Sequence, residues 1–225
     1  MTDISDFSFD MLEPGGRPGE SASAKVDSSH TFTILSVCTG NICRSPLAQQ
    51  LLAVRLAAAG VEATVLSAGT SALVGRSMPE PAAELSATYG GTPAGHRARQ
   101  IDENLIDHAD LVLTAAREHR ADVVQQSVRA LRYSFTLRQF ARIASALTDD
   151  DFAAIDSPQA LVAVVAAQRG FVPPPENPDD DDVVDPYRQS QDVYDESGTV
   201  IDQAVSQIVA AFVRAMKGPV PPHDV

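Results

Sequence analysis

Residues 36–46 read SVCTGNICRSP, and this short stretch limits the possible fold more than any other part of the chain. Before it lies TFTILSV, a β-branched apolar run of strand character, and after it SPLAQQLLAVRLAAAG, which carries helix signals. Ser45 suits the N-cap, Pro46 the first helical position and Gly60 the C-terminal stop, while Leu47, Leu51 and Val54 recur at helical spacing. A strand, a tight turn holding Gly40 and Asn41, and a helix make a βα unit, which needs parallel neighbours to bury its apolar faces.

The chain supplies them. A second strand is expected at 63–67 (ATVLS), a helix at about 81–89, a short helix before the third strand at 110–115 (DLVLTA), a helix at about 117–128 and a fourth strand at 131–135 (LRYSF). Strands alternating with helices imply an α/β fold with parallel pairing through right-handed crossovers. Beyond 135 the pattern loosens. TLRQFARIASAL and PQALVAVVAAQRG read as helices, and FVPPPENPDDDDVVDPYRQS as a loop whose prolines and consecutive aspartates stay solvated. A last helix at about 202–217 presents Val205, Ile208, Val209, Phe212, Val213 and Met216 on one face.

With 44% hydrophobic residues, the 225-residue chain can bury one good core. Residues 1–30, rich in Ser, Gly, Pro and Asp, read as a disordered acidic tail without the marks of a signal peptide, leaving 31–225 as the folded domain. No apolar run is long enough to span a bilayer. A formal charge of −13 argues against nucleic acid and anionic membrane surfaces as partners. Both cysteines, Cys38 and Cys43, lie in the opening turn; without an export signal they point to the reducing cytoplasm and to reactive rather than structural use.

In open parallel sheets, ligands bind at the carboxyl ends of the strands, where the turn at 39–44 must lie. Amides leading into a helix N-terminus attract an anion, and the same positive field favours the thiolate of a cysteine placed there. Arg44 adds a planar fork that fits two phosphate oxygens. A thiolate beneath a cradled phosphate is suited to phosphoryl transfer from oxygen to sulfur. That route needs a general acid for the leaving oxygen, and DPYRQS at 185–190 offers Asp185. The GKS or GKT ending of an ATP-binding loop is absent, which disfavours nucleotide hydrolysis.

The two motifs together resemble the low-molecular-weight protein tyrosine phosphatases, whose catalytic loop reads C-x-G-N-x-C-R-S-P and whose acid sits in a late Asp-Pro-Tyr. SAGTSALVG (67–75), GHRARQI (95–101) and DLVLTAAREH (110–119) are similar to the bacterial branch associated with capsule and exopolysaccharide systems. The resemblance implies a three-layer, phosphatase I-like sandwich with a four-stranded parallel sheet in the order 2-1-3-4. It makes Cys38 the nucleophile, Arg44 the transition-state ligand and Asp185 the acid and later the base. The phosphate would sit against Thr39, Gly40, Asn41, Ile42, Cys43, Arg44 and Ser45. Asn41, Ser45, Ser67 and His96 would support the loop, with Ser45 also hydrogen-bonding the thiolate, and Thr39 and Tyr187 would wall the substrate ring. Cys43 would either capture an oxidised Cys38 as a disulfide or fill space beneath the loop.

The implied activity is hydrolysis of phosphotyrosine in a protein, with a bacterial tyrosine kinase as the expected partner, and with no cofactor and no metal. Two alternatives stay open: an arsenate reductase that borrows a small-molecule thiol, and a phosphotyrosine-binding module without turnover. Three departures from the family pattern stand out. Ala72 and Leu73 follow SAGT where many relatives carry an aromatic. Ala115 and Ala116 stand where an acidic residue often follows the third strand. The segment at about 136–183 is far longer than the family needs, and its helices are expected beside the active-site rim or an adjoining sheet face.

Overall fold

Four apolar runs form strands: β1 (Thr33–Cys38), β2 (Thr64–Gly69), β3 (Leu111–Thr114) and β4 (Ser134–Thr136). The computed structural model describes residues 31–217; the tail expected at 1–30 lies outside the described residues. The strands pair in parallel in the order β2-β1-β3-β4, as the family resemblance implied. Their register sets Cys38 beside Gly69, Val37 beside Thr114 and Thr114 beside Thr136. All four carboxyl ends therefore open onto one edge of the sheet.

The helices are α1 (Arg44–Ala58), α2 (Glu80–Thr88), α3 (Glu103–Asp107), α4 (Arg117–Gln126), α5 (Leu137–Ser145), α6 (Asp149–Ala153), α7 (Pro158–Ala167) and α8 (Gln191–Lys217). Both faces of the sheet are covered, so its strands are apolar on both sides. Ile34, Leu111, Leu113 and Phe135 point to one face, where they meet buried residues of α1, α5, α7 and α8. Leu35, Val37 and Val112 point to the other, against Ile106 of α3 and Val123 of α4. On the first face Phe212 of α8 stacks on Phe140 of α5 (centroids 6.3 Å apart) and tilts against Phe32 before β1 (5.5 Å).

Several boundaries differ from the sequence expectation. Residues 128–131 make a 3-10 turn and β4 starts only at Ser134, because the chain must first bury Ala130 under α4 while Leu131 turns outward. In α1, Val54 is exposed, and Leu52 and Leu56 are buried in its place. Met216 of α8 is likewise exposed. The last helix begins at Gln191, well before the expected start, although it runs through Ser197 and Gly198. A Cβ at Gly198 would stand 3.1 Å from Leu85 Cδ1, so this glycine permits the close crossing of α8 over α2. That packing outweighs a helix-propensity cost of about 1 kcal/mol.

The long segment after β4 does contain the two expected helices, α5 and α7, and a further short one, α6, opened by a reciprocal Thr148–Asp151 capping box. Leu161 and Val165 are fully buried, so α7 extends the helical layer over the adjoining sheet face. The segment also covers an edge. Ser134 O of β4 accepts from Arg120 Nε (2.8 Å) and from Arg169 Nη2 (2.9 Å), which occupies an acceptor that another strand could use. Asp179 and Asp180 are exposed as expected, whereas the next two aspartates are not. Asp181 is buried and paired with Arg142 at 2.8 Å, and Asp182 is paired with Arg117 at 3.1 Å.

Phe212 joins α8, α5 and the chain entering β1. Phe212→Ala should lower unfolding free energy by about 3–5 kcal/mol, the cost of a large aromatic removed from a core. Urea denaturation followed by circular dichroism measures it; a loss under about 1 kcal/mol would mean that the three layers do not depend on this contact.

Candidate active site

The turn between β1 and α1 is shaped by where its carbonyls are held. Thr70 N donates to Cys38 O (2.9 Å), Ser71 N to Thr39 O (3.0 Å), and Leu73 N to Gly40 O (3.0 Å). His96 Nε2 donates to Asn41 O at 2.7 Å. In a planar trans peptide the carbonyl and the following N–H point in opposite directions. Drawing these four carbonyls outward therefore turns the amides of Thr39, Gly40, Asn41 and Ile42 toward the inside of the turn. Among the described residues, none of these amides donates to another protein group.

Asn41 makes the turn possible. Its φ of 53° lies in the left-handed region, which asparagine tolerates better than most residues. Its side chain is fully buried and fastened on three sides: Nδ2 donates to Ser45 Oγ (3.0 Å) and Ser67 Oγ (2.9 Å), and Oδ1 accepts from Arg99 N (2.9 Å). Ser67 Oγ passes its own proton to Gln49 Oε1 at 2.5 Å. Beneath the turn lies Gly69, where a Cβ would come within 2.4 Å of Thr39 O; only glycine allows β2 to end so close.

Cys38 closes β1 and is buried, with its Sγ 3.0 Å from Ser45 Oγ. The direction of this bond follows from its neighbours. An amide NH2 can only donate, so Ser45 Oγ accepts from Asn41, and its single proton is left for Cys38 Sγ or, at 3.4 Å, Ala68 O. Ser45 is therefore not the N-cap that the sequence suggested. The helix begins two residues earlier than expected, at Arg44, with Cys43 in the cap position and no side-chain cap bond.

Arg44 is almost fully buried. Its Nη1 donates to Val183 O at 3.1 Å, its Nη2 pairs with Asp185 Oδ2 at 2.9 Å, and its buried Nε has no protein partner. Asp185 is half exposed, and its Oδ1 accepts from Tyr187 N at 3.2 Å. Arg188 at φ 63° turns the chain there and sets its guanidinium 5.1 Å from the Tyr187 ring centre. Cys38, Arg44, Asp185 and Tyr187 line one cavity of about 150 Å³, together with Thr39, Gly40, Ile42, Cys43, Ser71 and Leu73. The expected residues thus converge from the two ends of the domain, with Ser67 and His96 behind the turn as supports. Leu73, where relatives often carry an aromatic, gives the cavity an aliphatic wall.

Cys43 is buried, and burial pushes its thiol up to about 12, against the smaller lowering by the Tyr194 hydroxyl at 4.0 Å. It stays protonated at neutral pH. Among the described residues, no group of three or more His, Cys, Asp or Glu is arranged to hold a metal ion.

One contributor went unread in the sequence. His119, in the first turn of α4, is buried with Nε2 2.8 Å from Thr39 Oγ1, fixing a side chain at the mouth of the cavity. Its Nδ1 has no partner, which favours the tautomer with the proton on Nε2, so that Thr39 Oγ1 accepts. The available signal was position: His119 follows β3 closely, on the edge where the strands end.

Residues 33–153 match the family model described as low molecular weight phosphotyrosine protein phosphatase. Over 91 residues the chain is 44% identical to a probable low molecular weight protein-tyrosine-phosphatase, EpsP, of Ralstonia solanacearum, covering 40% of this chain and 60% of that protein. It is 42% identical over 91 residues to the low molecular weight protein-tyrosine-phosphatase Etp of Escherichia coli, covering 40% of this chain and 59% of that one. The chain thus spans less than two thirds of the length of these curated relatives. The crystal structure of the tyrosine phosphatase Wzb from Escherichia coli K30 in complex with sulphate superposes with a TM-score of 0.58 at 23% identity, over 81% of this chain and 99% of that one. At that identity the likeness speaks for the fold alone.

Burial, the larger cause in each case, holds both His96 and His119 below their ordinary value of 6.5. An unfolded chain takes up these protons near 6.5 while the folded one refuses them. Their contribution to stability is therefore complete above 6.5 and is lost as pH falls from there toward the folded values. Thermal melts between about pH 7.5 and 5.5 should show a falling midpoint, and His119→Gln should flatten that fall. An unchanged slope in the variant would mean that His119 takes up its proton in the fold as readily as in the unfolded chain.

Proposed function

The chain belongs to the low molecular weight phosphotyrosine protein phosphatase family, and from that premise we propose that it hydrolyses phosphotyrosine in proteins through a cysteinyl-phosphate intermediate. One observation carries the reading: Thr39, Gly40 and Ile42 with their undonated amides, Arg44 with its unpartnered Nε, Cys38 and Asp185 line a single small cavity.

In the first step Cys38 Sγ attacks phosphorus in line with the ester oxygen. The amides of Thr39, Gly40, Asn41 and Ile42 and the Arg44 guanidinium take up the charge on the non-bridging oxygens. The bond from phosphorus to the tyrosine oxygen breaks, and Asp185 gives that oxygen its proton. In the second step the Asp185 carboxylate takes a proton from water, whose oxygen attacks phosphorus. The phosphorus–sulfur bond then breaks, and the leaving thiolate is met by the Ser45 hydroxyl proton. Every group used belongs to this chain, positioned before the substrate arrives.

A protein substrate is favoured over free arsenate by what adjoins the cavity. A second hollow of about 310 Å³ shares Ile42, Leu73 and Tyr187 with it and is completed by Arg76, Ser77, Met78 and Pro79. It has room for the residue beside a phosphotyrosine, for which an arsenate ion has no equivalent. We take the partner to be a bacterial tyrosine kinase of a capsule or exopolysaccharide system, on the likeness of SAGTSALVG and GHRARQI to that branch. The two free cysteines agree with a cytoplasmic site of action. Among the described residues no helix is long and apolar enough to cross a membrane.

Cys38→Ser should abolish hydrolysis of p-nitrophenyl phosphate while orthovanadate or phosphate still binds, read by calorimetry. Activity near wild type in that variant would end the reading. Asp185→Asn should lower kcat/KM by roughly 10²–10⁴-fold for esters with poor leaving groups and far less for good ones. Equal losses along a leaving-group series would place the acid elsewhere.

A further inference from the structure

The acid loop is reached from the long segment through one short stretch, residues 178–183, and that stretch is tied down at almost every residue. Asp179 pairs with Arg117 at 2.5 Å, Asp181 with Arg142 at 2.8 Å, and the Asp182 carboxylate with Arg117 Nη2 at 3.1 Å and Nε at 3.2 Å. The Asp182 carbonyl accepts from Arg138 Nη1 at 3.0 Å. Val183 N then donates to Ala115 O at 2.8 Å, and Val183 O receives Arg44 Nη1 at 3.1 Å. Two residues later comes Asp185.

Asp182 also does something for α4. The N-cap of that helix is Ala116, which has no polar side chain, and the amide of Arg117 donates instead to Asp182 Oδ1 at 2.8 Å. A carboxylate at this position satisfies an orphan amide and suits the positive end of the helix. The chain carries alanines at 115 and 116, and the carboxylate at the start of α4 arrives from the far end of the long segment.

We propose that residues 178–183 form a brace that sets Asp185 in register with the phosphate-cradling turn, with Arg117 and Asp182 as positioning residues. This rests on the assignment of Asp185 as the general acid. The argument is one of reach. Val183 is fixed through its N–H to the end of β3 and through its carbonyl to Arg44, and it is buried. The Asp185 Cα then lies within about 7 Å of the Val183 Cα, the fully extended span of two residues. The acid cannot drift far from the arginine while Val183 stays docked. Single exposed ion pairs stabilise little, but here several act on one six-residue stretch, together with backbone hydrogen bonds. Loosening the brace should misplace the proton donor and leave the nucleophile, Asn41 and the amides untouched, since those are held by residues 67–73, 96 and 99.

The test compares phenyl phosphate, a poor leaving group, with p-nitrophenyl phosphate, a good one, in wild type, Arg117→Ala, Asp182→Asn and each combined with Asp185→Asn. The brace predicts that Arg117→Ala and Asp182→Asn each lower kcat/KM for phenyl phosphate by about tenfold, as expected for a displaced catalytic group, with a change under about twofold for p-nitrophenyl phosphate. In the Asp185→Asn background the same substitutions should add no further selective loss. Circular dichroism and the agreement of the two variants, which break the same contact from opposite sides, separate this outcome from misfolding. Equal losses on both esters, no loss on either, or full additivity with Asp185→Asn would overturn the brace while leaving the phosphatase reading in place. A wild type silent toward both esters would overturn the phosphatase reading and the brace with it.

Discussion

The turn at 39–43 depends on the outward pull on its carbonyls. Backbone groups shielded from water are ordinarily paired, and this turn holds four amides facing inward because each opposing carbonyl has a partner elsewhere. Those partners come from the loop after β2 and from His96, and the left-handed conformation of Asn41 is held by Ser45, Ser67 and Arg99. The parallel pairing of β1 with β2, and the bare Cα of Gly69, serve the same end by bringing the residue-70 loop within hydrogen-bond distance. Preorganisation here is largely a property of the backbone, fixed by side chains that never touch the cavity.

Much of this was legible in the residues because it is local. A β-branched run, a Gly–Asn turn and a Ser–Pro helix start lie in one continuous stretch, and the resemblance carried by that stretch and DPYRQS pointed to Cys38, Arg44 and Asp185 together. What stayed hidden was decided by tertiary contact. Ser45 looked like a cap and instead serves the thiol, because Asn41 directs its proton. The front of α8 reads poorly as helix by propensity, yet packing over α2 at Gly198 makes it one. His119 closes the DLVLTAAREH stretch, but its burial and the bond to Thr39 appear only once the sheet is assembled.

The aspartates at 179–182 show the same limit from the other direction. Composition says that a run of acidic residues between prolines belongs in water. The fold instead sets Arg117, Arg138 and Arg142 around it, residues that stand apart in sequence and come from two different helices. A charge run can be read from sequence, but its partners are a matter of topology. The family match ends at residue 153, inside the long segment.

The separation of the two halves of the site along the chain has a consequence for how the protein comes into being. Arg44 and the carbonyl that holds it are 139 residues apart. The β1–α1–β2 unit is built from near neighbours and can form early, whereas closing the acid loop over it needs β3, β4, the long segment and α8 in place. During synthesis the residues of the cysteine-bearing turn therefore emerge from the ribosome long before Asp185 does. A nascent chain would present Cys38 and its turn without Asp185. The order of residues in the chain thus leaves the cavity incomplete until the stretch before the last helix has docked.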